Sequence, residues 1–120
     1  VGGGLIVRAG AKADDAVDAI SKVNNMTEFF KDTPLGMEIV KLTNETNFKF
    51  QGTRIYTMIK KSSNKYLKKG DYFYLDNFHK DHLEIYNSDG KVKAVLNLDG
   101  SYNKLKTEKV LKENREIKVN

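Results

Sequence analysis

The sequence predicts an α+β fold in which N-terminal helices pack on a twisted antiparallel sheet of four or five strands. Apolar residues recur at three- and four-residue spacing early in the chain, and from Phe48 onward they alternate with polar residues instead. The chain has 120 residues, the size of one domain with one modest core. We therefore expect any activity to lie on one face of a single domain.

The N-terminal third is predicted to contain a linker and then helix. Residues 1 to 12 are rich in Gly and other small residues, and we interpret them as a linker from a longer protein. Asp14 and Asp15 suit the beginning of a helix, and the apolar spacing that follows predicts one at residues 13 to 31. Pro34 opens a second apolar segment, residues 35 to 42, which suits either another helix or an extended lead into the sheet.

The remainder of the chain is predicted to form the sheet and a short C-terminal helix. Alternating segments that begin near Phe48, Ile55, Tyr72, Leu83 and Val92 are the predicted strands. Gly and Asx residues near positions 70, 90 and 100 supply the turns that antiparallel neighbours need. A helix is expected at about residues 104 to 113, and residues 115 to 118 are expected to return as an edge strand.

Composition and charge exclude several classes of function. Because the chain has no cysteine, it offers no disulfide, no thiolate metal site and no thiol nucleophile. Its apolar runs are far shorter than a membrane span, so we expect no stable membrane association. Residues 1 to 48 carry five Lys or Arg against seven Asp or Glu, whereas residues 49 to 120 carry sixteen against nine, giving −2 and +7. The C-terminal part is therefore the candidate surface for a polyanion.

The densest polar cluster spans residues 76 to 84 and contains both histidines of the chain. Strand alternation predicts that Leu83 points into the core, while His82, Glu84 and Tyr86 share the opposite, solvent-facing side. Asp76 and His79 lie just before this strand and are expected to converge on the same side. The sequence thus predicts an open polar face.

The cluster has the residue types that metal-independent RNA cleavage requires. That reaction needs a base for the 2′-hydroxyl proton, an acid for the leaving 5′-oxygen and a cation for the phosphate. Partial burial and a second carboxylate would raise the pKa of a glutamate base, and the same negative field would keep a histidine protonated. We expect neither a metal nor another cofactor. A zinc site built on His79 and His82 with Asp76, Asp81 or Glu84, and a charged connection without any function, are the alternatives.

The basic half also supplies candidate RNA contacts. Lysines suit phosphates and tyrosines can stack on unpaired bases, although a solvated surface and ordinary sheet packing explain the same residues. The candidates are Lys60, Lys61, Lys68, Lys69, Lys91 and Lys93 for phosphates, and Tyr72, Tyr74 and Tyr86 for bases.

Over about residues 72 to 118, the sequence resembles the cytotoxic domain of the ribosome-inactivating E-group colicins and related pyocins. It is similar in the same way to toxin domains at the ends of contact-dependent growth inhibition effectors. The matching pieces, in order, are Asp76 with His79, then Leu83-Glu84-Ile85-Tyr86, then Ser88-Asp89-Gly90, and last Arg115-Glu116-Ile117-Lys118. The chain departs from the pattern by one extra residue between His79 and Glu84, by Leu75 in place of an aromatic residue, and by residues 1 to 48, which have no counterpart.

The resemblance implies that residues 13 to 120 form a toxin nuclease domain that cuts an essential RNA, with ribosomal RNA favoured. It assigns Glu84 as the base, His79 as the acid, Asp76 as the residue that orients the histidine, and Arg115 as the phosphate clamp. Because of the extra residue, His82 is an alternative acid. A transfer-RNA nuclease and a non-catalytic RNA-binding module are the alternative functions.

The same resemblance implies a delivery route and a partner. We expect a secreted or cell-surface effector that acts in the cytoplasm of the target bacterium. We also expect an acidic cognate immunity protein that blocks the basic RNA-binding face.

Overall fold

The computed structural model describes residues 22–119 and confirms the α+β class. The helices are α1 (Met26–Asp32), α2 (Pro34–Ile39) and α3 (Lys104–Lys112), with a 3-10 turn at Val40–Leu42. The strands are β1 (Thr43–Phe50), β2 (Thr53–Met58), β3 (Tyr72–Leu75), β4 (His82–Tyr86) and β5 (Val92–Asn97). Within these described residues, no helix is long and apolar enough to cross a membrane.

The N-terminal helix is shorter than the sequence indicates. Of the helix predicted at residues 13 to 31, residues 13–21 lie outside the described part, and residues 22–25 are not helical. Asn25 has an extended backbone, and its side chain accepts the Glu28 N–H at 2.9 Å. This cap satisfies one of the free donors of the first turn, so α1 begins at Met26. Thr33 caps α2 in the same way, and residues 35 to 42 are therefore helical rather than extended.

The five strands form one antiparallel meander in the order β1-β2-β3-β4-β5. Phe73 pairs with Ile85, and the next pair along is Tyr74 with Glu84. Because side chains alternate, these pairs lie on opposite faces of the sheet. We call the face of Phe73 and Ile85 the helix face, and the face of Tyr74 and Glu84 the C-terminal face.

The helix face carries the main apolar core. Phe29 of α1 and Leu35 and Ile39 of α2 pack there against strand residues. All of the strand residues in this cluster are almost fully buried: Met58, Phe73, Leu75, Leu83, Ile85 and Leu96. The N-terminal helices therefore cover this face as the sequence predicts.

The outer edge of β5 is covered by the C-terminal part of the chain. The Val95 N–H donates to Thr107 Oγ1 at 2.8 Å, so α3 satisfies a backbone donor of the edge strand. Further along, the Val92 N–H donates to the Arg115 carbonyl at 3.0 Å. The predicted edge strand at residues 115 to 118 is wrong as a strand, because only an isolated bridge between Lys91 and Glu116 forms there. This segment nevertheless positions the Arg115 side chain.

Candidate active site

The five residues predicted as catalytic line one pocket of about 110 Å³. Two come from the β3–β4 connection, two from β4 and one from the segment after α3. They are Asp76, His79, His82, Glu84 and Arg115, and the lining is completed by Val95, Lys106, Lys109 and Val110. The structure therefore brings together residues that are 39 positions apart in the sequence, from 76 to 115.

Asp76 fixes the turn that carries His79. Its Oδ2 atom accepts the His79 backbone N–H at 2.6 Å and lies 3.3 Å from His79 Nδ1. Lys80 then takes a left-handed backbone with φ of 58°, and its N–H donates to the Asp76 carbonyl at 3.0 Å. The His79 side chain is 53% exposed. If Nδ1 carries the proton, His79 donates it to Asp76 and leaves Nε2 as a proton acceptor toward solvent.

Glu84 is a buried and fully ionised carboxylate. Its Oε1 atom accepts from the Tyr74 hydroxyl at 2.7 Å, from the Tyr86 hydroxyl at 3.0 Å and from Arg115 at 2.8 Å. Burial raises the pKa of Glu84, but the nearby His82 ring, the hydrogen bond from Tyr74 and the charge of Arg115 outweigh it and lower the pKa to about 2. The prediction of a raised glutamate pKa is therefore wrong, because the donors outnumber the carboxylates around it.

His82 is buried among carboxylates. Its Nδ1 atom lies 2.6 Å from Asp81 Oδ1, and its Nε2 atom lies 3.6 Å from Glu84 Oε2 and 3.9 Å from Asp76 Oδ1. Burial lowers the pKa of His82, but the nearby Glu84 carboxylate, the hydrogen bond to Asp81 and the charge of Asp76 outweigh burial, and the net shift of the pKa is upward. The negative field thus favours a protonated histidine at position 82.

Arg115 forms ion pairs with two glutamates at the C-terminal face. One guanidinium nitrogen donates to both oxygens of Glu84, at 2.8 and 3.0 Å, and the other binds Glu113. Burial lowers the pKa of Arg115, but Glu113 and Glu84 outweigh it and raise the pKa, so the side chain stays charged. Since two carboxylates share this charge, Arg115 alone has little positive charge left for a phosphate.

The C-terminal face is not the open face that the sequence predicts. The alternation is as predicted, but all five residues of β4 are buried, because Phe50 of β1 and Arg115 and Ile117 after α3 cover the second face. Tyr74 and Tyr86 are 1% and 0% exposed, so the prediction that they stack on RNA bases is wrong. Their rings stack on each other at 5.6 Å, and burial raises the pKa of both hydroxyls, which remain donors to Glu84.

The other predicted RNA contacts do not line the pocket. Lys60, Lys61, Lys68 and Lys69 are exposed on the connection between β2 and β3, and Tyr72 is partly buried. Lys93 is bound to the buried carboxylate of Asp71 at 2.5 Å, and Lys91 lies 3.8 Å from Glu116. Lys93 is thus committed to an ion pair inside the protein, which argues against a role in RNA binding.

Sequence reasoning missed Lys106 and Lys109, the two lysines that line the pocket. They lie three residues apart on α3 and therefore on one side of the helix. Among residues 22–119, no carboxylate is within ion-pair distance of either ammonium group. Their spacing within a predicted helix was the available signal, but nothing in the sequence indicates that this helix packs along β5 with these two side chains at the pocket.

Asp76, His82 and Glu84 could in principle hold a metal ion, since one ligand atom of each lies within 4.8 Å of the others. The surroundings fit a cation poorly. Glu84 accepts from Arg115 with both oxygens, so a metal ion bound to this carboxylate would compete with the guanidinium.

We compared the chain with family models, with curated proteins and with solved structures, and found no match in any of the three.

Proposed function

We propose that this domain is a metal-independent endoribonuclease of the toxin class, with ribosomal RNA as the favoured substrate. The observation that carries the proposal is the convergence of two histidines, two carboxylates and an arginine on one pocket beside two lysines. These are the proton-transfer and phosphate-binding groups that attack by a 2′-hydroxyl requires.

His79 is the base in this proposal. It is the more exposed histidine, and Asp76 orients its ring through Nδ1. Glu84, to which the resemblance gives the base role, is a weak base at a pKa of about 2. A base works best when its pKa is near the working pH, which this carboxylate does not meet.

His82 is the acid, and Glu84 is the residue that positions it. The carboxylates beside His82 raise its pKa and so favour its protonated form, and the centroids of the two imidazole rings are 6.1 Å apart. One phosphodiester between the rings would meet the base on the side of the 2′-hydroxyl and the acid on the side of the 5′-oxygen. The 2′-oxygen then attacks phosphorus, the bond from phosphorus to the 5′-oxygen breaks, and a 2′,3′-cyclic phosphate remains.

Lys106 and Lys109 hold the phosphate, with Arg115 as the third cation of the pocket. Glu84 and Glu113 share the charge of Arg115, so Lys106 and Lys109 are the pocket cations with no carboxylate within ion-pair distance among residues 22–119. Their two ammonium groups favour a phosphate over a neutral ligand. We expect Lys106→Ala to weaken RNA binding and to reduce its salt dependence, measured against the exposed Lys104→Ala on the same helix, which lies outside the pocket.

The test of the acid and base is cleavage of total bacterial RNA in excess chelator. We expect His79→Ala and His82→Ala each to slow cleavage by roughly a hundred-fold or more, with Lys104→Ala as the control. Glu84→Gln should lose less than His79→Ala. A Glu84→Gln variant that folds normally and loses as much as His79→Ala would return the base role to Glu84.

The same experiment separates the alternatives. Products with 2′,3′-cyclic phosphate ends, formed in chelator, support the proposal. Activity that disappears in chelator and returns with zinc would favour the metal site at Asp76, His82 and Glu84. RNA left intact under every condition would favour the non-catalytic binding module. Sequencing the RNA ends after expression in cells distinguishes ribosomal RNA from transfer RNA.

The toxin assignment includes delivery and a partner. We propose that the domain belongs to a secreted or cell-surface effector that acts in the cytoplasm of a target bacterium, and that an acidic immunity protein blocks it in the producing cell. The +7 balance of residues 49 to 120 would steer an acidic partner, so association should slow as salt rises. Hydrogen exchange should show protection of residues 76–84 in the complex. A basic partner, or one that leaves RNA access open, would contradict this part.

A further inference from the structure

Phe78 is the most exposed large apolar side chain of residues 22–119, at 87%. It lies in the β3–β4 connection between Asp76 and His79, both of which line the pocket. Its ring meets the His79 ring edge-on, with centroids 4.7 Å apart and planes at 84°. The face of the Phe78 ring is thus left to solvent directly beside the exposed proton-transfer group.

The turn that carries Phe78 is held from both sides. Asp76 binds the His79 N–H on one side, and Asn77 Nδ2 donates to the Gln51 carbonyl at 3.1 Å on the other. The Lys80 carbonyl accepts the Val23 N–H at 3.0 Å. Because these bonds fix the backbone around it, Phe78 is presented to solvent by a defined turn rather than by a loose loop.

We propose that Phe78 stacks on an unpaired base of the RNA whose phosphate enters the pocket, so that the enzyme cuts RNA where a base can leave its helix. This inference rests on the proposed ribonuclease function and names its substrate class. Base stacking on an exposed aromatic ring is the common way in which proteins bind unpaired RNA, and it tolerates any base because every base has a π-face. The two pocket lysines supply the phosphate contact beside it.

The chain offers a matched control for exposed apolar surface. Leu105 is 80% exposed on α3, next in sequence to Lys106, and it does not line the pocket. A general need for apolar surface would be shared by Phe78 and Leu105, whereas stacking at the site requires an aromatic ring at position 78.

Cleavage of an unpaired oligoribonucleotide gives the first readout. We expect Phe78→Ala to raise KM by roughly five- to a hundred-fold with a small change in kcat, as loss of one base stack does. Phe78→Leu should raise KM nearly as much, because leucine has no aromatic ring. Phe78→Trp should keep the wild-type KM, and Leu105→Ala should match wild type. The same sequence in a duplex should be cut poorly by all of them. Wild-type activity in Phe78→Leu, or equal losses in Phe78→Ala and Leu105→Ala, would overturn the proposal.

A second readout does not depend on cleavage. The chain has no tryptophan, so the Phe78→Trp and Leu105→Trp variants each carry a single tryptophan, whose emission can be excited selectively over that of the six tyrosines. Titration with a 2′-O-methyl oligoribonucleotide, which cannot be cut by 2′-hydroxyl attack, should quench Phe78→Trp and leave Leu105→Trp unchanged. Quenching of Phe78→Trp by unpaired RNA in a protein that cuts no RNA would sink the ribonuclease proposal and leave the stacking site standing. Absence of quenching in a protein that does cut RNA would sink the stacking site alone.

Discussion

The two faces of the sheet are both buried, yet they are buried by different chemistry. On the helix face, Leu83 and Ile85 are covered by the side chains of α1 and α2 in an apolar core. On the C-terminal face, His82, Glu84 and Tyr86 of the same strand are covered equally well, but their polar atoms have partners: Tyr86 and Arg115 donate to Glu84, and His82 is bonded to Asp81. Adjacent residues of one strand therefore serve the stability of the fold and the chemistry of the pocket.

The comparison shows what burial does to each kind of side chain. Apolar side chains gain free energy by leaving water and have no further chemistry. Polar side chains lose hydration, and the partners that compensate for this loss also set their protonation states. The unusual pKa values of Glu84 and His82 are thus a direct result of covering the second face.

The largest expected effect on stability comes from the helix face. Leu83→Ala should lower the free energy of unfolding by about 2–5 kcal/mol, because it removes buried apolar atoms and leaves a cavity. The folded fraction should keep its cleavage rate. Urea unfolding measures the free energy of unfolding, and an activity assay at urea concentrations below the unfolding midpoint measures the cleavage rate of the folded protein. A loss of cleavage rate in fully folded Leu83→Ala would show that the faces are not separable.

Acid titration should reveal how much the ionised Glu84 on the C-terminal face stabilises the fold. The pKa of Glu84 falls from 4.5 in a free side chain to about 2 in the fold, which corresponds to about 3 kcal/mol of stability. Because the folded-state pKa is depressed, this stability is present above pH 4.5 and is lost as the pH falls towards 2. The difference in unfolding free energy between wild type and Glu84→Gln should shrink across that window. A constant difference would mean that Glu84 is not held ionised.

The smallest effect tests one hydrogen bond within the polar centre. Tyr86→Phe removes one of three donors to Glu84 Oε1 and should cost about 1 kcal/mol, with the acid transition moved to higher pH. Tyr72→Phe is the control, because no hydrogen bond of its hydroxyl is found among the described residues. Equal changes in both variants would indicate an effect of ring packing instead.

Local patterns predicted most of the fold. Alternation located the strands and correctly separated Leu83 from Glu84, and Gly and Asx residues located the turn before β3, the β4–β5 turn and the turn after β5 but not the β1–β2 turn. The predicted helix at residues 13 to 31 includes residues 22–25, which are not helical. The apolar spacing continues through these residues, whereas the Asn25 cap makes α1 begin at Met26. The spacing of apolar residues alone does not reveal where a capping residue begins a helix.

The sequence predicted which residues share the pocket, but it did not predict how deeply they are buried or how their pKa values are shifted. All five predicted residues share the pocket, since β4 and its preceding turn bring four of them together locally. Burial of the second face depends on β1 and on the segment after α3, which are distant from β4 in sequence and are not indicated by the residue pattern of β4. For this reason Tyr74 and Tyr86 were expected at the surface, Glu84 was expected to have a raised pKa, and Lys106 and Lys109 were missed.

The order of the strands sets the order in which these parts can form. Each strand pairs with its neighbour in sequence, so the sheet can be built hairpin by hairpin from local contacts. The bond between Glu84 and Arg115 spans 31 positions and cannot form until β5 and α3 have both been made. During synthesis, the sheet can thus be complete while the pocket still lacks a wall and a charge. Under the proposed function, activity appears after folding has begun, and that delay gives the producing cell time to engage an inhibitor.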